Sequence, residues 1–187
     1  IIDTAPHILK RVKHLLAGGE ALSPAHVKKA LRILTDTQLI NGYGPTENTT
    51  FSCCHPIPRN HREMLPIPLG HAINHSTAFV LDAEKRLQPT GVPGELYVGG
   101  LGVALGYYRE TNETEMRFIT TASLATIDIP LYKTGDRVYQ RKDGLFEYLG
   151  RFDDQVKIRG FRVEPGEIQN QLNLCQGVKT NVVLVDS

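Results

Sequence analysis

Five side chains have the chemistry and the settings to hold a planar, phosphorylated ligand. Tyr43 lies between Gly42 and Gly44. Their bare backbone lets a flat ligand approach and stack on the phenol ring. Glu47 follows Pro45-Thr46, so its carboxylate sits on a rigid turn and suits a Mg²⁺ ion that also takes phosphate oxygens. Thr46 offers a hydroxyl to a phosphate. Asp136 closes the segment Tyr132-Lys133-Thr134-Gly135-Asp136, where a carboxylate can accept two hydrogen bonds from a vicinal diol such as ribose. Arg151 can serve the same sugar or its phosphate. Each residue alone has a plain structural reading: an Asp beside Gly forms turns, and a Glu after Pro is a surface charge. The argument rests on their combination.

The elements that must position them begin with a strand over 12–17 that stops at Gly18-Gly19. Ser23 is a good N-cap with Pro24 at the first helical position. Val27, Ala30, Leu31 and Leu34 follow at helical spacing. A second strand over 38–41 completes a βαβ unit with parallel strands. Both loops leaving the carboxyl ends of these strands, 17–20 and 41–47, are polar and Gly-rich. Ligands of open α/β sheets bind there.

From about Pro66 the pattern changes to short strands: 77–81, 95–98, and a hairpin of 137–140 with 145–149 around Asp143-Gly144. Asn112 with Glu115 can cap a short helix ending near Phe118. This part is expected to be a small antiparallel unit resembling a barrel. Beyond Gly150 come a hairpin around Arg159-Gly160 and a helix from Pro165, with Ile168, Leu172 and Cys175 on one face and Gly177 at its end. A strand over 178–185 is expected last. The fold class is therefore α/β plus β. Its expected parts are 1–65 in a larger α/β unit, 66–152 in a β-rich unit, and 153–187 as a hinge and incomplete lid, a stretch too short to close its own core.

The composition sets limits. In 187 residues, 41% are hydrophobic and 22% charged, which is globular rather than disordered. Lys plus Arg is 21 and Asp plus Glu is 20, a net charge of +1 that argues against a nucleic-acid binder. The longest tight apolar run, Val182 to Val185, is far short of a membrane helix. Cys53, Cys54 and Cys175 form no disulfide framework and fit a reducing cytoplasm. Cys53-Cys54-His55 lacks zinc-ligand spacing. Asn48, Asn74 and Asn112 open Asn-x-Ser/Thr triplets, but no secretory signal accompanies them. Gly100-x-Gly102 misses the dinucleotide fingerprint because Leu105 stands where a third Gly is needed.

The order and wording of four segments resemble the adenylation domain of nonribosomal peptide synthetases, within the adenylate-forming enzyme superfamily. They are Asn41 to Glu47, Gly94 to Tyr107, Tyr132 to Asp136, and Gly150 to Ile168. The run Gln155-Val156-Lys157-Ile158-Arg159-Gly160 favours the amino-acid branch. The resemblance implies activation of an amino acid with MgATP and transfer to the phosphopantetheine thiol of a carrier protein, alongside neighbouring synthetase domains. It implies that Asn41 and Tyr43 meet adenine, Thr46 the α-phosphate, Glu47 the Mg²⁺, Asp136 and Arg151 the ribose, and Lys157 the nucleotide edge. Thr46 and Glu47 are thereby the catalytic candidates. Asp153 becomes the hinge of a rotating lid, and Gly160 the contact for the carrier arm. Leu15, Ala17, Gly42, Thr50 and Phe51 match substrate-pocket positions and point to an apolar or compact side chain. Gly94 to Tyr107 is expected to be scaffold, and its Leu105 replaces the family's usual Arg.

The family's phosphate loop and its C-terminal catalytic Lys have no counterpart in the sequence. The expectation is therefore a fragment of a longer domain, or a domain interrupted after the hinge, with little activity alone. The competing readings are a degenerate module kept for binding or scaffolding, and an aryl- or acyl-adenylating ligase.

Overall fold

The computed structural model describes residues 1–61, 65–120, 129–158 and 160–185. Strand β1 (His14–Gly18), helix α1 (Pro24–Ile33) and strand β2 (Gln38–Tyr43) form the expected βαβ unit. β1 and β2 pair in parallel, with Ala17 opposite Asn41 and Gly18 opposite Gly42. α1 lays Val27 and Ala30, followed by Leu34, against Leu39, Ile57 and Ile67. Ser23 does stand at the N-cap, but its side chain caps no backbone amide. Its hydroxyl instead lies 3.0 Å from His26 Nδ1. Two antiparallel strands, β3 (Cys53–Pro56) and β4 (His71–Ala72), extend the sheet in the order β1-β2-β3-β4.

The second sheet is antiparallel. It contains β5 (Ser76–Leu81), β6 (Gly94–Gly100), β7 (Phe118–Thr120), β8 (Pro130–Gln140) and β9 (Phe146–Arg151). The path is β5-β6-β8-β7, with β9 also on β8. It is open, so the barrel-like expectation is corrected. Closing a barrel needs the two edge strands to pair, and here β5 and β7 each pair with only one strand of the sheet. Gly144 takes φ +84° in the β8–β9 turn, as the Asp-Gly signal requires. Helix α2 (Thr111–Arg117) is present, but Asn112 lies inside its first turn and Glu110 holds the N-cap without a side-chain bond. The two sheets share one apolar core: Tyr43, Cys53 and Leu69 from the first meet Leu96, Val98, Tyr132 and Val138 from the second.

Beyond Arg151 the hairpin forms as β10 (Val156–Ile158) with β11 (Phe161–Val163). Arg159, expected at its turn, lies outside the described residues. Helix α3 (Pro165–Asn173) stops before Gly177, and Ile168 and Leu172 remain 43% and 38% exposed. The strand expected over 178–185 does not form. A strand needs a neighbouring edge to take up its backbone groups, and β10 and β11 pair only with each other.

Candidate functional site

The parallel register sets the tips of β1 and β2 side by side, so two glycine loops leave the sheet together. They can be this close only because they lack side chains. A Cβ on Gly18 would lie 1.9 Å from the Gly42 carbonyl oxygen, and one on Gly42 would lie 2.5 Å from Phe51 Cε1. Beyond these tips opens a cleft of about 680 Å³. Asn41, Gly42 and Tyr43 form one side, Arg151 and Asp153 another, and Lys157 of β10 reaches over it. The Lys157 ammonium is 5.8 Å from the centre of the Tyr43 ring, within cation–π range. The Asn41 amide donates to the Pro68 carbonyl at 2.8 Å and is buried.

Behind the cleft lies a charged network. The Tyr43 hydroxyl donates to Asp136 Oδ2. Arg151 Nη1 donates to Asp136 Oδ1 at 2.6 Å. The same guanidinium grips Asp153 through Nε at 2.5 Å and Nη2 at 2.8 Å, and reaches the Thr134 carbonyl at 3.0 Å. Gly135 leaves room for this fork: at φ +78°, a Cβ there would sit 2.5 Å from Arg151 Nη2. Burial, and then the Asp136 charge and hydrogen bond, push the Tyr43 phenol well above its ordinary value, so it remains a donor. Burial alone would raise the Asp153 carboxyl, but the Arg151 hydrogen bonds and charge outweigh it and hold it below the usual range.

A second network centres on Glu47, in a short 3-10 turn (Thr46–Asn48) after β2. Its Oε1 accepts from the Tyr107 hydroxyl at 2.5 Å, the Tyr132 hydroxyl at 2.8 Å and Arg162 Nη1 at 2.7 Å. Its Oε2 is buried without a hydrogen-bond partner. Burial works to raise the Glu47 carboxyl, but the Tyr107 bond and the Arg162 charge hold it below its ordinary value. A buried, ionised oxygen with no donor is costly in itself, and a cation can satisfy it. Among the described residues, no group of three or more His, Cys, Asp or Glu could hold a metal by protein ligands alone. The fit is to Mg²⁺ bound through one carboxylate plus phosphate oxygens and water.

The structure thus brings Asn41, Gly42, Tyr43, Arg151, Asp153 and Lys157 to one cleft, with Asp136 directly behind Tyr43 and Arg151. Glu47 belongs to the neighbouring network and does not line that cleft. Thr46 is exposed at the start of the turn. Phe51 lies against Gly42, Leu15 packs with the α1 core, Ala17 is exposed, and Thr50 is exposed at φ +64°. The Gly160 amide donates to the Glu20 carboxylate, joining the hairpin to the β1 loop. Sequence reasoning gave no role to Tyr107, Tyr132 or Arg162. All three lie inside the quoted segments, but nothing in their spacing tells that they converge on Glu47 from positions 60, 85 and 115 residues away.

The family described as AMP-binding enzyme matches residues 3–108. The chain belongs to that family. Gramicidin S synthase 2 of Brevibacillus brevis is 46% identical over 174 residues, covering 93% of this chain and 4% of that protein. An NRPS protein containing adenylation and PCP domains superposes with a TM-score of 0.88 at 32% identity, over 100% of this chain and 38% of its own. A holo four-domain nonribosomal peptide synthetase bound to AMP and glycine is 42% identical, with a TM-score of 0.66 over 92% of this chain and 13% of its own. The resemblance to nonribosomal peptide synthetase adenylation domains is therefore shown, and the fold is part of theirs. This member of the AMP-binding family spans only 2% to 14% of the length of the curated relatives it matches. Among the described residues, no helix is long and apolar enough to cross a membrane.

Proposed function

We propose that this chain is part of an amino-acid adenylation domain. That domain joins an amino acid to AMP at the expense of ATP and passes the aminoacyl group to the phosphopantetheine thiol of a carrier domain. The observation that carries the reading is the convergence of Tyr43, Asp136 and Arg151 at one cleft, from three distant segments of an AMP-binding family chain. In the first step the substrate carboxylate attacks the α-phosphorus in line, the new C–O–P linkage forms, and the bond to pyrophosphate breaks. In the second a thiolate attacks the acyl carbon and AMP leaves.

The chain's own residues bind and orient. Asp136 exchanges its internal donors for ribose hydroxyls, with Arg151 beside it. Tyr43 offers its ring and Asn41 its flank to adenine. Lys157 faces the nucleotide edge. Thr46 meets the α-phosphate. Glu47 Oε2 is the ligand for Mg²⁺, which when bound neutralises charge on the phosphates. Gly42 and Phe51, with Leu15, Ala17 and Thr50 nearby in the chain, shape the amino-acid pocket. Asp153 is the swivel for the segment that follows it, and Gly160 meets the carrier arm after rotation. Neighbouring synthetase domains are the further partners. The free thiols of Cys53, Cys54 and Cys175 fit a reducing cytoplasm.

The test is amino-acid-dependent ATP–pyrophosphate exchange by the full-length protein carrying this segment, across all amino acids. Stimulation by one amino acid or one compact class is expected. Exchange only with aryl or fatty acids would replace this reading with an aryl- or acyl-ligase, and no exchange at all with a degenerate binding module. Asp153→Pro should cost thiolation more than adenylation; equal loss of both would remove the hinge role.

A further inference from the structure

Glu47 is held asymmetrically. Three donors meet one carboxylate oxygen, Oε1, and none meets the other. Two of the three come from the body of the protein. Tyr107 ends the loop after β6, and Tyr132 is fully buried on β8. The third, Arg162, comes from β11 in the segment beyond Asp153.

The two phenols are braced. Phe118 stands between them, its ring centre 5.3 Å from that of Tyr107 at 75° and 5.2 Å from that of Tyr132 at 58°. The Tyr107 backbone amide is anchored on Thr114 Oγ1 at 2.9 Å. Gly106 permits this approach, because at φ +141° a Cβ there would lie 2.4 Å from Thr114 Cγ2. Each phenol has a single proton, and both protons point at Glu47. The 3.2 Å separation of the two hydroxyl oxygens follows from their sharing one acceptor.

We propose that Tyr107 and Tyr132, aligned by Phe118, are positioning residues. They saturate Oε1 of Glu47 so that Oε2 is presented, bare and fixed, to a divalent cation. This rests on the adenylation reading above. When Arg162 leaves with the segment beyond Asp153, the two tyrosines keep the carboxylate from rotating, so the cation site outlasts the movement of the lid. Neither phenol touches the ion or the substrate.

The experiment uses Tyr107→Phe, Tyr132→Phe and the double variant in the full-length protein, with Glu47→Gln as the floor. Mn²⁺ binding in the presence of ATP is titrated by electron paramagnetic resonance, independently of turnover. Removal of partners that orient a metal ligand weakens metal affinity ~10–100-fold, and a loss in that range is expected for the double variant. The Mg²⁺ concentration for half-maximal pyrophosphate exchange should rise by the same factor, with kcat at saturating Mg²⁺ nearly retained. Should the double variant fail to fold, Tyr107→Phe carries the test, because Tyr107 is only half-buried. Unchanged Mn²⁺ affinity in a folded variant overturns the proposal, as does a fall in kcat that excess Mg²⁺ cannot restore. Absence of exchange in the unmutated protein would instead count against the adenylation reading, while the Mn²⁺ titration still reports on the tyrosines.

Discussion

The Tyr43 hydroxyl donates to Asp136 Oδ2 across 93 positions of chain, and this bond joins the parallel sheet to the antiparallel one at the cleft. Arg151 holds the other oxygen of the same carboxylate. Asp136 is thus fully engaged within the protein, and a ribose must compete for its lone pairs.

Asp136→Asn in the full-length protein should lower pyrophosphate exchange by ~10–100-fold, the scale of a charged hydrogen bond worth about 1.5–3 kcal/mol. Asp136→Ala should also destabilise by about 3–5 kcal/mol, because it strands a buried guanidinium; the two side chains are only 9% and 5% exposed. Exchange kinetics and urea unfolding measure the two effects. Exchange unaffected by Asn would remove the ribose role.

The two loop glycines should respond differently to a methyl group. In Gly42→Ala the obstacle is the Phe51 ring, 2.5 Å from the new Cβ. A side chain can yield, so a cost of about 1–3 kcal/mol is expected, relieved by adding Phe51→Leu. In Gly18→Ala the obstacle is backbone, the Gly42 carbonyl at 1.9 Å. A larger loss is expected there, with no rescue from Phe51→Leu. Thermal unfolding of the four variants is the measurement, and equal rescue of both glycine variants would contradict this geometry.

The three thiols should react in a fixed order. Cys175 is exposed, Cys54 half-buried and Cys53 fully buried. Burial, with a smaller contribution from Cys54, pushes the Cys53 thiol up to about 12, and burial also raises Cys54. Since the thiolate is the reactive form, a chromogenic disulfide reagent should label Cys175 first, Cys54 slowly, and Cys53 only on unfolding. Peptide mapping by mass reads the order, and early label on Cys53 would contradict the packing.

Acid should loosen the Arg151–Asp153 grip. The folded protein holds the Asp153 carboxyl below its ordinary 3.8. A depressed folded value contributes stability above the unfolded value, which is lost as the pH falls through the folded one. Urea unfolding followed from neutral pH to about pH 3 should therefore show a decline below the ordinary carboxylate range. Asp153→Asn should lower stability at neutral pH and make that decline shallower. An unchanged acid limb would show that Asp153 contributes nothing to it.

Much of this was legible in the residue order. The βαβ unit followed from Pro24 and the Val27, Ala30, Leu34 spacing, and the β8–β9 hairpin from Asp143-Gly144, because local geometry fixes both. The 178–185 strand failed because alternation alone supplies no neighbouring edge. The caps at Ser23 and Asn112 failed because a capping side chain must choose among partners, and Ser23 found His26.

The sequence by itself determined the family, the parallel pair of strands, and which glycines must carry the ligand loops. These depend on residue type and on contacts between near neighbours in the chain. Only the tertiary structure decided that Tyr43, Asp136 and Arg151 share one network while Glu47 sits in another with Tyr107, Tyr132 and Arg162. Those partners are brought together by packing between two sheets and a hairpin, and no spacing along a chain encodes which of several polar side chains a buried carboxylate will meet.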